Sequence, residues 1–181
     1  GKRNDVSEVY SPPRVTAFAG QMGLSPGFAL DLTTINPSTG QPWDFDKVDC
    51  RNEAYRLVVQ TEPVLLIGSP MCRAFSVLQN INYAKMPAER VKQLLAHGMK
   101  HLRFCISLYR EQINNGRYFL HEHPDTATSW QTPERRSLLA VPGVIRTKGH
   151  MCRYGMTSKD DKGVGLVLKP TGWATNSDGS S

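Results

Sequence analysis

The run Val64-Leu-Leu-Ile67, bounded by Pro63 and Gly68, has the pattern of a strand buried on both faces. Upstream, Val6–Tyr10 predicts a first strand that ends in the turn Ser11-Pro12-Pro13. Arg14–Met22 predicts a helix, closed by Gly23-Leu-Ser-Pro26. Phe28–Leu32 predicts a second buried strand, with Asp31 at its carboxyl end. A polar loop, Thr33–Pro42, and a short segment, Trp43-Asp44-Phe45, lead into an amphipathic helix over Asp46–Gln60. Between Met86 and Asn115 the apolar positions Val91, Leu94, Leu95, Met99, Leu102, Phe104, Ile106 and Leu108 recur at helical spacing. Pro87 suits the first turn of that helix, and Asn114-Asn115-Gly116 ends it. Tyr118–Leu120 predicts a further short strand and Gln131–Leu139 a short helix. Val144–Arg146 and Gly165–Leu168 predict final strands, the latter preceded by a turn over Ser158–Gly163.

Strands thus alternate with helices. That pattern predicts an α/β fold: a doubly wound, mostly parallel sheet with helices on both faces. In such sheets ligands collect beyond the carboxyl ends of the strands. The segments at those ends are Ser11–Arg14, Asp31, Trp43–Phe45, Ser69–Arg73 and His121–Asp125.

The length of 181 residues fits one domain over 1–175, with a flexible tail at 176–181. Apolar residues make up 39% and charged residues 21%, a globular balance. No apolar run approaches the roughly 18 residues that cross a bilayer, so no membrane association is expected. The opening, GKRNDVSEVY, lacks the apolar core of a secretory signal. Gly1 in place of Met is expected of a segment cut from a longer protein. Cys50, Cys72, Cys105 and Cys152 form no Cys-x-x-Cys pair, which argues against a zinc ribbon. Reduced thiols and an intracellular setting, nucleus or cytoplasm, are expected.

The net charge of +6 is unevenly spread. Residues 73–117 hold eight basic side chains, Arg73, Lys85, Arg90, Lys92, Lys100, Arg103, Arg110 and Arg117, against two acidic ones. This excess follows Cys72 directly and fits either a solvated helix face or a phosphate-backbone footprint.

Cys72, just past a buried strand in a Gly/Pro turn, is expected to be presented, with Arg73 beside it favouring the thiolate; the other reading is a small buried hydrophobe. Cys50, Cys105 and Cys152 are read as packing residues. Glu122, at the end of a central strand, is expected either to be partly desolvated and suited to general-acid work or to hold a loop as a structural acceptor. His121 and His123 are expected on opposite sides of the chain, a poor chelate. His97 and His101 could meet across one helical turn. With no carboxylate or cysteine near them in sequence they are read as a surface pair, and no metal site is expected. Asp31 is placed either to accept a ribose diol or to cap a turn. Trp43 and Phe45 flank Asp44 and could sandwich a flat ring or serve the core.

The order of these motifs resembles that of the cytosine-C5 methyltransferases. Gly68-Ser-Pro-Met-Cys72-Arg-Ala-Phe-Ser76 resembles the family's nucleophile motif, a Pro-Cys-Gln core followed by Phe-Ser. Leu120-His-Glu122-His-Pro124 is similar to its Glu-Asn-Val motif, and Glu8-Val-Tyr10-Ser11-Pro12-Pro13 to its cofactor loop. The likeness spans about residues 6–125. It implies a Rossmann-like class I methyltransferase core that binds S-adenosylmethionine through Tyr10, Ser11, Pro12, Asp31, Asp44, Phe45, Ser69 and Pro70. It implies Cys72 as nucleophile toward cytosine C6, Glu122 on the base edge and Arg73 beside the nucleophile. Nucleic acid, DNA favoured over RNA, would meet Arg73, Lys85, Arg90, His123, Arg146 and Arg153. Met71 stands for the family's Pro, Arg73 for its Gln and His123 for its Asn, and the first loop is Pro-rich rather than Gly-rich. About 60 residues follow Glu122, too few for a large target-recognition domain, so a partner chain or domain would choose the target. A second reading keeps the fold without methyl transfer, as a nucleic-acid-binding module of a larger or mobile-element protein. A third is another Cys-dependent enzyme on the same scaffold.

Overall fold

The structure, a computed structural model, describes residues 4–71, 73–150, 157–160, 163–166 and 170–177. In chain order the strands are β1 Val6–Val9, β2 Pro26–Leu30, β3 Ile35–Asn36, β4 Gln41–Pro42, β5 Leu65–Gly68, β6 Tyr118–Pro124, β7 Ile145–His150, β8 Thr157–Asp160, β9 Gly163–Leu166 and β10 Pro170–Thr175. The helices are α1 Val15–Ala19, α2 Val48–Thr61, α3 Val77–Tyr83, α4 Ala88–Asn114 and α5 Pro133–Leu139, with 3-10 turns at Gly20–Met22, Arg73–Phe75 and Thr128–Gln131.

Six strands form one sheet in the order β2-β1-β5-β6-β10-β7. β1, β2, β5 and β6 run parallel, as the alternation predicts. β10 inserts antiparallel between β6 and β7, which returns β7 to the common direction. β3–β4 and β8–β9 are separate two-stranded hairpins. The last strand of the sheet is therefore β10, which the sequence pattern does not flag. Of the Gly165–Leu168 segment, Gly165 and Leu166 belong to β9 of the β8–β9 hairpin and the rest lies outside the described residues, while Ser158–Asp160 of the predicted turn belong to β8. α3 and the turn before it are likewise not visible in the pattern.

Alternation along the strands sorts the core onto two faces. Val6 and Ile67 pack with Ala19 of α1 on one side. Val9, Leu66 and Phe119 pack with α2, α4 and Leu138 of α5 on the other. Leu66 and Phe119 are fully buried, each worth about 1.5–3 kcal/mol relative to exposure. α4 supplies Leu102, Cys105, Ile106, Leu108 and Tyr109 from one stripe, the expected consequence of 3.6 residues per turn.

The two edges of the sheet differ. At the amino edge Gln112 donates to the carbonyls of Pro63 and Tyr118 and accepts from Arg117, which clamps the starts of β5 and β6. At the carboxyl edge the chain leaves in loops around two cavities.

Candidate functional site

The chain steps from β1 outward to β2 and later returns to β5 on the other side of β1, so the strand order changes direction between β1 and β5. That reversal is where open α/β sheets leave a crevice. Tyr10 closes β1 there in a left-handed conformation, φ 59°. Its N–H donates to Leu30, and its ring packs 4.7 Å from that of Phe45. Its hydroxyl lies 2.9 Å from His101 Nδ1. Burial pushes this phenol far above its ordinary pKa, so it stays protonated.

The smaller cavity, about 60 Å³, is bordered by Tyr10, Asp31, Asp44, Asp46, Met71 and His101. Asp31 Oδ2 accepts from the N–H and hydroxyl of Thr33 and so caps a turn. Trp43 and Phe45 are both buried in the core, their rings 6.4 Å apart and tilted by 42°, so no parallel slot separates them. A larger cavity of about 460 Å³ is bordered by Met71, Arg73, Tyr83, Arg90, His97 and His101. Met71 and His101 border both.

At this junction three side chains converge. Asp46 Oδ1 lies 2.7 Å from His97 Nε2 and 3.2 Å from His101 Nε2, and the two Nε2 atoms are 3.3 Å apart. Lys100 Nζ also donates to Asp46 Oδ1. Partial burial opposes ionisation of Asp46, but hydrogen bonds from His97 and Lys100 and the nearby positive charge outweigh it and hold the carboxyl well below its usual range. Burial lowers the pKa of His101, partly offset by Asp46. The sequence reading of His97 and His101 as a surface pair misses this, because Asp46 arrives from the loop before α2. His101 is buried and His97 half-exposed.

The other predicted residues spread over three places. Ser69 and Pro70 follow β5, and Ser69 Oγ donates to Glu122 Oε2 at 3.2 Å. The loop that leads to Cys72 is thus tied to β6; Cys72, Cys152 and Arg153 lie outside the described residues. At Gly68 a Cβ would fall 2.0 Å from the Tyr109 hydroxyl, so only glycine lets α4 press against the end of β5. Glu122 sits inside β6 rather than beyond it, because β6 runs on to Pro124. The same extension corrects the histidine reading: residues two apart in a strand share a face. His121 and His123 are both buried beneath α4 and α5, their rings 5.5 Å apart. His123 Nδ1 lies 2.7 Å from Ser129 Oγ and 3.2 Å from Arg135, which places it inside rather than on a nucleic-acid surface.

In the first loop Ser11 is buried and donates to Glu8 Oε1 and to the Pro12 carbonyl. Glu8 Oε2 accepts from the N–H groups of Arg14 and Thr16 and from the Thr16 hydroxyl, which satisfies a carboxylate that is only 1% exposed. Among the basic residues, Lys100, Arg103 and Arg117 are engaged by Asp46, Glu134, and Glu62 with Glu111. Arg110 donates to Ser137. Arg146 pairs with Asp125 at 2.7 Å and lies over Trp130. Arg73, Lys85 and Arg90 are exposed, form no ion pair among the described residues, and two of them border the larger cavity. Cys105 is buried, and burial pushes its thiol up to about 12, in keeping with the packing role read for it. Cys50 packs at the margin of the core.

No helix among the described residues is long and apolar enough to cross a membrane. Compared with protein-family models and with curated proteins, the chain matches none.

Proposed function

We propose that this chain is a doubly wound, Rossmann-like protein of the class I methyltransferase type that acts on C5 of cytosine in nucleic acid, DNA in preference to RNA. The observation that carries the reading is the Ser69–Glu122 hydrogen bond at the carboxyl edge, beside the point where the strand order changes direction. It brings the segment leading to Cys72 and the carboxylate of β6 to one place, as the resemblance requires. Asp31 fits a ribose diol: Thr33 engages Oδ2 and leaves the second oxygen for it. Asp44, Phe45, Tyr10, Ser11, Pro12, Ser69 and Pro70 complete the set that would hold S-adenosylmethionine, which supplies an electrophilic methyl group when bound. Cys72 Sγ adds to cytosine C6 and places an electron pair at C5, with Arg73 favouring the thiolate. Glu122 holds the base edge at N3. Once C5 has taken the methyl group, its proton passes to solvent water and the Cys72 thiolate leaves as the C5–C6 double bond re-forms. The target base must leave its stack to reach this edge, and Arg73, Lys85 and Arg90 meet the phosphates at the mouth of the larger cavity.

A second reading, a nucleic-acid-binding module without methyl transfer, draws on two features. Glu8 consumes N–H groups at the start of α1, and the small cavity must open past Met71 to admit a nucleoside. Thermal melting with S-adenosylmethionine separates the two. At about 100 times Kd the cofactor adds about 2.7 kcal/mol, and an oligonucleotide containing 5-fluorocytosine traps an adduct that Cys72→Ser abolishes. Absence of both the shift and the adduct, with salt-sensitive DNA binding intact in Cys72→Ala, overturns the first reading for the second.

A further inference from the structure

We propose that Asp46, His97 and His101 form a binding site for one divalent first-row metal ion of the zinc type. The site needs no methyl transfer and stands apart from that reading. Its donors are the ones such ions favour, two imidazoles and a carboxylate. They are also gathered. Asp46 Oδ1, His97 Nε2 and His101 Nε2 form a triangle with sides of 2.7, 3.2 and 3.3 Å. Ligand atoms about 2.0–2.1 Å from a tetrahedral zinc are about 3.3 Å apart. A point about 2.1 Å from all three atoms lies roughly 1 Å off their plane, so an ion enters with little movement.

The surroundings fit as well. His97 and His101 are one helical turn apart on α4, a rigid element, and their spacing puts both Nε2 atoms on one side. Tyr10 fixes the buried ring. With Nε2 on the metal, Nδ1–H donates to the Tyr10 hydroxyl oxygen at 2.9 Å, the outer-shell contact that orients ligating histidines. Three protein donors leave a further coordination position, and both histidines border the cavity of about 460 Å³. Water or a small donor ligand reaches the ion from there. Lys100 is the competitor, because its ammonium occupies Asp46 Oδ1. It is half-buried on a flexible stem and swings aside when a dication takes its place.

The test uses the full chain, freed of metal by chelation, with Zn2+ followed by calorimetry and Co2+ by visible absorption. One equivalent of Zn2+ binds, and Co2+ gives the intense d–d bands of a low-coordinate site. His97→Ala and Asp46→Asn weaken binding by about a hundredfold or more, Tyr10→Phe by about tenfold, and Lys100→Met tightens it. His97 is half-exposed, so metal-free His97→Ala still unfolds in one cooperative transition and serves as the folded control. No stoichiometric binding, or binding that survives both His97→Ala and Asp46→Asn, makes the trio a hydrogen-bonded cluster only and overturns the proposal.

Discussion

The protein carries two pairs of histidines that differ in almost everything except composition. His97 and His101 stand one turn apart on α4, with their Nε2 atoms turned toward a carboxylate between two cavities. His121 and His123 stand two apart on β6, sealed under α4 and α5. There the Nδ1 atoms meet hydroxyls: Tyr109 at 2.7 Å from His121, and Ser129 at 2.7 Å from His123. Cys105 donates to Tyr109, so Tyr109 in turn donates to His121. Burial, with the charge of Arg135 nearby, holds the pKa of His121 well below its usual value and keeps it neutral. The lesson is that a histidine's function follows from what its nitrogens face. One pair is open to cations; the other is a polar joint inside the core.

The comparison breaks hardest at Trp130. Its ring lies 5.8 Å from that of His121, donates to Pro124, and carries Arg135 at 4.0 Å on its π system. Trp130→Ala costs about 3–5 kcal/mol in urea unfolding, the range for a buried aromatic truncated to a methyl; a loss under 1 kcal/mol means the β6 joint is not core. Next is Tyr109→Phe, which strips His121 of its donor. A buried acceptor left bare costs about 1–3 kcal/mol, and an unchanged urea midpoint contradicts the network. The smallest effect is a slope. The unfolded chain protonates its histidines below about pH 6.5. The folded state does not protonate His121, so it loses stability as the pH falls, by up to about 1.4 kcal/mol per pH unit. His121→Gln makes that slope shallower by about one proton between pH 6.5 and 5; an identical slope shows His121 charging freely.

Two of the parallel strands were legible because β5 and the first half of β6 are apolar runs between turn residues, and β1, which carries Ser7 and Glu8, because the turn Ser11-Pro12-Pro13 closes it. β10 was not. Pro170 and Gly172 argue against a strand, yet Gly172 is required, since a Cβ there would fall 2.6 Å from the Trp130 ring. The loops that carry Tyr10, Asp31 and Ser69 followed from the rule that places ligands at the carboxyl edge. The approach of Asp46 to His97 and His101 did not, because it spans 55 residues and no local spacing encodes it. His123 differs for another reason: β6 runs past Leu120 to Pro124, and the period of two then puts His121 and His123 on the same buried face.

Tyr10 answers two demands that ordinarily exclude each other. Its backbone conformation is one that Gly, Asn or Asp adopts most easily, while its side chain must reach His101 with an aromatic hydroxyl. No other residue type meets both. Position 10 is therefore nearly closed to substitution on its own. Among any relatives, a change at residue 10 is expected to travel with a change at residue 101. That coupled pair is a sharper signature for recognising them than either cysteine spacing or charge.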